Sequence, residues 1–256
     1  MSALRSHIDQ AIAEAGGWLG FDRFMALALY TPGLGYYAND TAKFGAMPDS
    51  GSDFVTAPEL SPVFGQLLAA QVAEALAATG TREVWEFGAG TGALALQVLD
   101  ELQRLGVAIE RYTIVDLSGT LRARQQARLA AHAPTVVWAD ALPARMQGVV
   151  IGNEVLDAMP VQLLARVGGV WHERGVALQG EALVWADRPT DLRPPLEVEG
   201  EHDYETEIHA QGEAFIRTLG ERLERGAAFF IDYGFGESEY YHPQRHMGTM
   251  VCHYQH

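Results

Sequence analysis

The amino-acid sequence predicts an α/β fold built on a doubly wound, mostly parallel sheet. From residue 83 onward, short apolar runs alternate with helical patterns, as parallel sheets with right-handed crossovers require. A glycine-rich turn separates the first apolar run from the first helix, and the fourth run ends in an Asn-Glu pair. Sheets of this kind bind ligands at the carboxyl ends of their strands, where both motifs fall.

The residues before this core are expected to form a helical extension. Helical patterns cover residues 4–15 and about 21–29, and a Gly/Pro-rich loop follows them. A further helix begins at Ser61-Pro62, where serine can cap the helix and proline fits its first turn, and Gly80 ends it. We therefore predict residues 1–60 as an extension that ends in a cleft-covering loop.

The core is predicted from residues 61–160 and 208–256. Its elements follow in the order strand, helix, strand, helix, strand, strand, helix, strand. Their predicted bounds are 83–87, 92–105, 111–116, 119–131, 135–138, 148–152, 203–225 and 227–233.

An insertion interrupts the core between residues 161 and 207. Its first part has short alternating runs broken at Gly168-Gly169 and Gln179-Gly180, which are typical of hairpin turns. This indicates an inserted antiparallel arm. Residues 187–207 are rich in proline and acids and are predicted to be a mobile loop.

Composition indicates a soluble enzyme that does not bind nucleic acid. The 256 residues are 48% hydrophobic, enough to bury a substantial core. There are 33 Asp and Glu residues against 18 Lys and Arg, a formal net charge of −15. Nucleic-acid binding needs basic patches, whereas this charge attracts cationic partners such as an arginine-bearing protein segment.

The sequence also argues against metals, disulfides and membrane insertion. Cys252 is the single cysteine, which excludes an internal disulfide, and the nine histidines show no metal-binding spacing. No apolar run approaches the length of a membrane span. The first residues form an amphipathic pattern containing acids, unlike a signal or transit peptide, so a cytoplasmic location is expected.

The most informative motif is Val-Trp-Glu-Phe-Gly-Ala-Gly-Thr-Gly at residues 84–92. Glycines at alternate positions suit a strand-to-helix turn where the backbone bends or lies against a ligand. A carboxylate two residues before the first glycine suits a ligand with an ammonium group and a sulfonium, but it would repel a pyrophosphate. We predict an S-adenosylmethionine loop. Its residues are Glu86, Gly88, Ala89, Gly90, Thr91 and Gly92.

Part of the same motif also fits a different cofactor. Gly88, Gly90 and Ala93 satisfy the dinucleotide fingerprint G-x-G-x-x-A. A nicotinamide-dependent oxidoreductase therefore remains an alternative, opposed by Glu86 and by the Asn-Glu pair of the fourth strand.

Two further acids follow the second and third strands. Asp116 ends an apolar run and could accept hydrogen bonds from both ribose hydroxyls, or it could be a turn residue. Asp140 follows the third strand and could accept from an adenine amino group, or it could belong to an ordinary loop.

The fourth strand empties into Asn153-Glu154, with Asp157 three residues beyond Glu154. If this segment turns helical, the spacing puts both carboxylates on one face. Such a pair could bind a guanidinium through two hydrogen bonds. The same acids could instead cap the next helix.

Together these segments resemble the MidA / NDUFAF7 family (DUF185) of S-adenosylmethionine-dependent methyltransferases. Its mitochondrial members act as protein-arginine methyltransferases in respiratory complex I assembly. The matching segments are residues 24–30, 35–37, 53–59, 64–65, 86–92, 153–160 and 231–234.

The resemblance implies a class I methyltransferase fold with a Rossmann-like sheet. It implies that Asn153-Glu154 faces the substrate and that the acceptor is an arginine of a protein, which could be a respiratory-complex subunit. Because a carboxylate pair can orient a guanidinium, Glu154 is the first candidate for that role and Asp157 the second. Leu117 and Asn153 join the expected cofactor contacts. The expected substrate-cleft residues are Thr56, Pro58, Glu59, Asp232 and Tyr233. A non-catalytic assembly factor that retains the fold is a third hypothesis.

This chain departs from the family in two places. Asp116 stands where the family more often has glutamate. The sequence also stops in a region where the family continues past the fifth strand, so the antiparallel strands that complete the family's sheet are expected to be missing. An exposed sheet edge would follow.

Overall fold

A computed structural model of the chain describes residues 2–39, 56–116 and 119–251. These residues divide into two compact units. The first unit contains residues 2–39, 158–215 and 233–251, and the second contains residues 56–116, 119–157 and 216–232.

The described residues contain both helices and strands in chain order. The helices are α1 Ala3–Glu14, α2 Phe21–Tyr30, α3 Ala57–Leu60, α4 Pro62–Thr79, α5 Ala93–Arg104, α6 Gly119–Arg128, α7 Ala210–Arg222 and α8 Glu237–Tyr240. The strands are β1 Trp18–Gly20, β2 Glu83–Phe87, β3 Arg111–Val115, β4 Val136–Ala139, β5 Met146–Asn153, β6 Gln162–Val167, β7 Val170–Gln179, β8 Ala182–Pro189, β9 Tyr204–Ile208 and β10 Leu223–Ile231. Among these helices, none has the length and apolarity that crossing a membrane requires.

The second unit is built on a five-stranded parallel sheet in the order β10-β5-β2-β3-β4. The chain runs outward from β2 through β3 to β4, then returns to the other side of β2 to form β5. The strand order therefore reverses between β2 and β5, and their carboxyl ends border the crevice where such sheets bind ligands. In the part of the chain described, no strand pairs with the outer side of β10.

Helices α4 and α5 cover one face of this sheet. Val72, Val98, Ile114 and Ile151 are fully buried members of the shared apolar cluster. The predicted ends of α4 are confirmed, because Ser61 Oγ accepts from the Val63 amide and Gly80 takes the left-handed cap conformation. Local capping rules sufficed here because both caps lie within the helix's own sequence.

The first unit contains an antiparallel sheet in the order β1-β7-β6-β9, with β8 paired to β7. The two predicted hairpin turns are confirmed, and Gly168, Gly169 and Gly180 have the positive φ angles that tight turns require. A separate apolar cluster supports this sheet. It contains Ile8, Ile12, Leu19, Phe21, Leu163 and Val176.

Two predictions about the insertion are wrong. Residues 187–207 are not a continuous loop, since β8 extends to Pro189 and β9 pairs with β6. The helix predicted near 203–225 begins only at Ala210. Tyr204 and Thr206 are almost fully buried, and burial of every second residue is typical of a strand. The acidic side chains of this stretch do not prevent the strand from forming.

Strand β1 was not predicted and joins the amino-terminal residues to the inserted arm. It pairs with β7 between Gly20 and Gly175, and a Cβ at Gly175 would lie 2.3 Å from the Leu19 carbonyl oxygen. A glycine is therefore required for this close approach. The expected separation of an extension from an arm differs from the structure, where both contribute to one sheet.

Candidate active site

The carboxyl ends of β2, β3 and β5 stand side by side. Phe87 is in register with Val115 of β3 and with Gly152 of β5. The next residues along these strands are Gly88, Asp116 and Asn153. Because neighbouring strands lie roughly 5 Å apart, the three predicted positions form one row at the sheet's edge.

The glycine loop leaves β2 in a conformation that suits glycine. Gly88, Gly90 and Gly92 have φ angles of 62°, 53° and 82°. A Cβ at Gly88 would lie 3.1 Å from the Val155 side chain, but a Cβ at Gly90 would meet no atom of the described residues within 4 Å. The Gly90 backbone thus borders open space, as expected of a loop that a ligand approaches closely. Ala89 is buried beneath it and Thr91 is partly exposed.

Glu86 lies inside the core rather than on the loop surface. Its side chain is buried, and its Oε2 accepts a 2.6 Å hydrogen bond from the hydroxyl of Tyr112. Burial raises the pKa of Glu86 to about 7, against the lowering effect of the Tyr112 hydrogen bond, and Asp116 raises it further. A cationic ligand nearby would favour the charged carboxylate.

We expect the raised pKa of Glu86 to make the free protein less stable as pH rises. The folded state binds more protons than the unfolded state between pH 4.5 and about 7. The free energy of unfolding should therefore fall across this window, by up to roughly 3 kcal/mol, and then level off. Urea unfolding without cofactor measures this fall, and Glu86→Gln should remove it.

The Tyr112→Phe variant sharpens this test. It removes a donor that favours the charged form of Glu86, so the fall should extend to higher pH. An unchanged pH profile in Glu86→Gln would show that another group causes the dependence.

Asp116 is bound to a residue that the sequence analysis missed. Its Oδ2 accepts from Gln125 Nε2 at 2.8 Å, and the same nitrogen donates to the Gly90 carbonyl oxygen at 2.9 Å. Gln125 lies on α6 and is fully buried. A signal was present, because Leu121, Gln125 and Leu129 follow a helical spacing of four that places a glutamine on an apolar stripe.

The predicted adenine acceptor, Asp140, follows β4. Its side chain is 82% exposed, and its Oδ1 accepts from the Arg122 guanidinium. Asp140 is therefore an exposed, ion-paired carboxylate beyond the third strand of the core. Leu117, the other predicted contact after β3, lies outside the described residues.

The predicted cleft-covering residues contact the glycine loop. Glu59 Oε1 accepts from the Thr91 hydroxyl and from Arg128 Nη1, and Arg128 also donates to Thr91. Pro58 is buried in α3, where its carbonyl oxygen accepts from Gln97 Nε2 at 2.7 Å. Thr56 directly precedes this helix. Residues 53–55 of the same motif lie outside the described part of the chain.

The turn after β5 holds Glu154 in an unusual backbone conformation. Glu154 has a φ of 52°, and among the described residues it is the one non-glycine with positive φ. Such a conformation costs roughly 1–2 kcal/mol in an L-residue. Strained residues of this kind cluster at functional sites, where surrounding contacts hold them in place.

Asp232, at the end of β10, is the residue that holds this turn. Its Oδ2 accepts from the backbone N–H groups of Val155, Leu156 and Asp157 at 3.1, 2.8 and 3.3 Å. The Glu154 amide donates to the Ile231 carbonyl oxygen at 2.9 Å. Asp232 therefore shapes the turn, and its predicted place in the substrate cleft stays a prediction.

The condition for placing Glu154 and Asp157 on one helical face is not met. Residues 154–157 form a turn, in which Glu154 has a left-handed φ of 52° that a right-handed helix does not contain. The shared helical face and the helix-capping alternative both disappear. The remaining predicted residues lie as follows. Asn153 Nδ2 donates to Glu154 Oε1 at 3.4 Å, and Asp157 is exposed. Tyr233 is also exposed and belongs to the first unit.

This row of residues fits S-adenosylmethionine. Among the described residues nothing crowds the open side of Gly90, which leaves room for a ligand against the backbone, and Gln125 Nε2 bonds both the Gly90 carbonyl and the Asp116 carboxylate. In the described ranges, no group of three or more His, Cys, Asp or Glu residues could hold a metal ion.

Comparison with solved structures supports the same fold and cofactor. A COG1565 superfamily member from Burkholderia thailandensis, solved bound to S-adenosyl-homocysteine, is 54% identical with a TM-score of 0.94. The match covers 99% of this chain and 68% of that one. Together with the family that residues 67–256 match, this bound product confirms S-adenosylmethionine, predicted from the glycine loop, as the cofactor.

Curated relatives are more distant. The "Protein arginine methyltransferase NDUFAF7, mitochondrial" of Danio rerio is 26% identical over 91% of this chain. The human protein of that name is 26% identical over 82% of the chain. The chain spans only 62% and 55% of the length of these two relatives.

A family match covers most of the chain. Residues 67–256 match the family described as "Putative S-adenosyl-L-methionine-dependent methyltransferase". Together with the parallel sheet order and the relatives above, this confirms the predicted class I methyltransferase fold and the MidA / NDUFAF7 resemblance. The chain belongs to this family of S-adenosyl-L-methionine-dependent methyltransferases.

Proposed function

We propose that this methyltransferase acts on an arginine guanidinium of a protein substrate. The observation that carries the proposal is the strained turn at Glu154, next to the glycine loop. A carboxylate at this place can accept hydrogen bonds from a guanidinium beside the methyl group to be transferred. The names of the curated relatives support the same acceptor.

The cofactor contacts follow from the row at the sheet's edge. The backbone of Gly88–Gly92 and Asn153 would hold the amino-acid end, and the Asp116 carboxylate would accept from the ribose hydroxyls. Asp140 would accept a hydrogen bond from the adenine amino group after its ion pair with Arg122 opens. When bound, the cofactor supplies a methyl group on a sulfonium.

Glu154 acts on the substrate by orientation and charge. A free guanidinium is a poor nucleophile because its charge and electrons are delocalised. By accepting from two of its nitrogens, the carboxylate localises positive charge there and directs the third nitrogen toward the methyl group. Asp157, on the same turn, is the second carboxylate available for this task. Asp232 contributes by keeping the turn in its strained form.

The surface charge suits such a substrate. A formal charge of −15 favours encounter with a cationic, arginine-bearing protein segment. A subunit of a respiratory complex would be one such partner. The family match favours a methyltransferase over the nicotinamide-dependent oxidoreductase. The dinucleotide fingerprint at Gly88, Gly90 and Ala93 is therefore a coincidence of glycine spacing.

Labelling identifies the acceptor directly. A cell lysate is incubated with the protein and methyl-labelled S-adenosylmethionine, and the labelled proteins are hydrolysed to amino acids. We expect the label in methylarginine, and we expect Glu154→Gln to remove most of it. Label in methyllysine or methylglutamine would refute the arginine assignment. Cofactor binding with no labelled protein would instead support a non-catalytic role.

A further inference from the structure

A buried, uncharged amide lies between two residues of the proposed cofactor site, Gly90 and Asp116. Gln125 of α6 has no exposed surface. A polar side chain buried in this way is costly unless hydrogen bonds satisfy it. Here three bonds do so: Nε2 to the Gly90 carbonyl oxygen, Nε2 to Asp116 Oδ2, and the Trp138 indole nitrogen to Oε1 at 2.9 Å.

The partners of Gln125 determine which way its amide points. An indole N–H can only donate, so the atom facing Trp138 must be the oxygen. The Gly90 carbonyl and the Asp116 carboxylate can only accept, so the atom facing them must be the nitrogen. Both hydrogens of the nitrogen are used, one on each acceptor. The amide is thus fully satisfied in one orientation.

Through these bonds Gln125 connects the ends of three strands. Gly90 belongs to the loop after β2, Asp116 follows β3, and Trp138 lies in β4. The helix itself also packs on the loop, because a Cβ at Gly92 would lie 3.5 Å from Gln125. A movement of α6 would therefore shift the loop and the carboxylate together.

We propose that Gln125 is a positioning residue that holds Gly90 and Asp116 in the arrangement required for S-adenosylmethionine binding. The proposal rests on the assignment of these two residues to the cofactor. Because Asp116 Oδ2 is bound to the amide, the carboxylate plane is held before the ligand arrives. Gly90 is likewise held with its carbonyl turned toward α6. Groups held in place in advance spare the ligand the entropic cost of ordering them.

The charged groups near Gln125 come from several elements. Asp116 is its direct partner, and the Asp116 charge adds to the raised pKa of the buried Glu86. On α6, one turn before Gln125, Arg122 pairs with Asp140. One turn after Gln125, Arg128 pairs with Glu59. A test that varies pH must therefore compare each variant with wild type at the same pH.

The test is the affinity of Gln125→Glu for S-adenosyl-homocysteine, measured by calorimetry. The substitution keeps the side chain's size and its acceptor for Trp138, but it replaces both donors with a carboxylate facing Asp116. At about pH 8.5 we expect affinity at least about tenfold below wild type, because two hydrogen bonds are lost and like charges meet. At about pH 6 the new carboxyl can be protonated and can donate one hydrogen bond. The difference in affinity between the variant and wild type should therefore be smaller at this pH.

Leu129→Ala is the matched structural control. Leu129 is buried just beyond the end of α6, so its truncation should lower the melting temperature without touching the cofactor groups. Trp138→Phe provides a second variant that removes only the indole N–H, and it should weaken binding by less than Gln125→Glu does.

The outcomes separate clearly. A pH-dependent loss in Gln125→Glu with normal affinity in Leu129→Ala supports the proposal. Wild-type affinity in a folded Gln125→Glu protein overturns the proposal. So does a loss of affinity that is equally large in Leu129→Ala and that, in Gln125→Glu, is the same at both pH values. If Gln125→Glu does not fold, normal affinity in Trp138→Phe overturns the proposal. Failure of the wild-type protein itself to bind would contradict the cofactor assignment instead.

Discussion

Replacing Gly90 by valine is expected to abolish S-adenosylmethionine binding while the chain remains folded. Among the described residues, no atom lies within 4 Å of a Cβ at this position, so the added side chain would project into the space proposed for the ligand. We expect affinity to fall at least about a hundredfold, equivalent to ~3 kcal/mol. Calorimetry with S-adenosyl-homocysteine, beside a melting curve of the same sample, measures both properties.

Gly106 provides the control for backbone strain. It has a φ of 71°, and a Cβ there would also meet, within 4 Å, no atom of the part of the chain that is described, but it follows α5 at the opposite end from the loop. Valine at either glycine pays a similar cost for positive φ, at least about 1–2 kcal/mol of unfolding free energy. Gly106→Val should therefore lose similar stability and retain affinity. Normal binding by a folded Gly90→Val protein would refute our assignment of the loop.

Replacing Glu154 by glutamine should slow methyl transfer while leaving cofactor affinity nearly unchanged. The amide has the same size and still accepts a hydrogen bond, but it lacks the charge that localises a guanidinium's positive charge. We expect the rate to fall at least about tenfold, or ~1.4 kcal/mol in the barrier. Single-turnover methylation and calorimetry on one preparation distinguish rate from binding.

Glu181→Gln is the matched control for this charge change. Glu181 lies in the exposed turn between β7 and β8, so its substitution removes one negative charge far along the chain from the proposed site. Its methylation rate should equal that of wild type. Full activity in Glu154→Gln would rule out the proposed role of this carboxylate, whereas reduced activity in both variants would point to overall charge.

Features with local causes could be predicted well from the sequence. The helix α4 was bounded correctly because Ser61, Pro62 and Gly80 are capping signals within the segment itself. The hairpins at Gly168-Gly169 and Gly180 followed from turn chemistry. The glycine loop was identifiable because its three positive φ angles are accessible to glycine at little cost.

Predictions failed where a distant partner decides the conformation. The helical arrangement considered after Asn153 does not form; the turn there is instead held by hydrogen bonds to Asp232 and to the Ile231 carbonyl oxygen, far along the chain. Strand β9 exists because β6 provides its hydrogen-bond partners, and β1 exists because Gly175 admits its backbone. The composition and local pattern of β9 and β1 do not show which strands they will pair with.

By itself, therefore, the sequence determined the α/β class, the glycine loop, the cofactor and the family. These depend on short segments whose spacing already implies their geometry. Only the tertiary structure decided that Glu154 is strained, that Asp232 shapes its turn, and that Gln125 joins Gly90 to Asp116. Each of these depends on hydrogen bonds between residues far apart in the chain, and such bonds exist only once the sheet has brought its strand ends together.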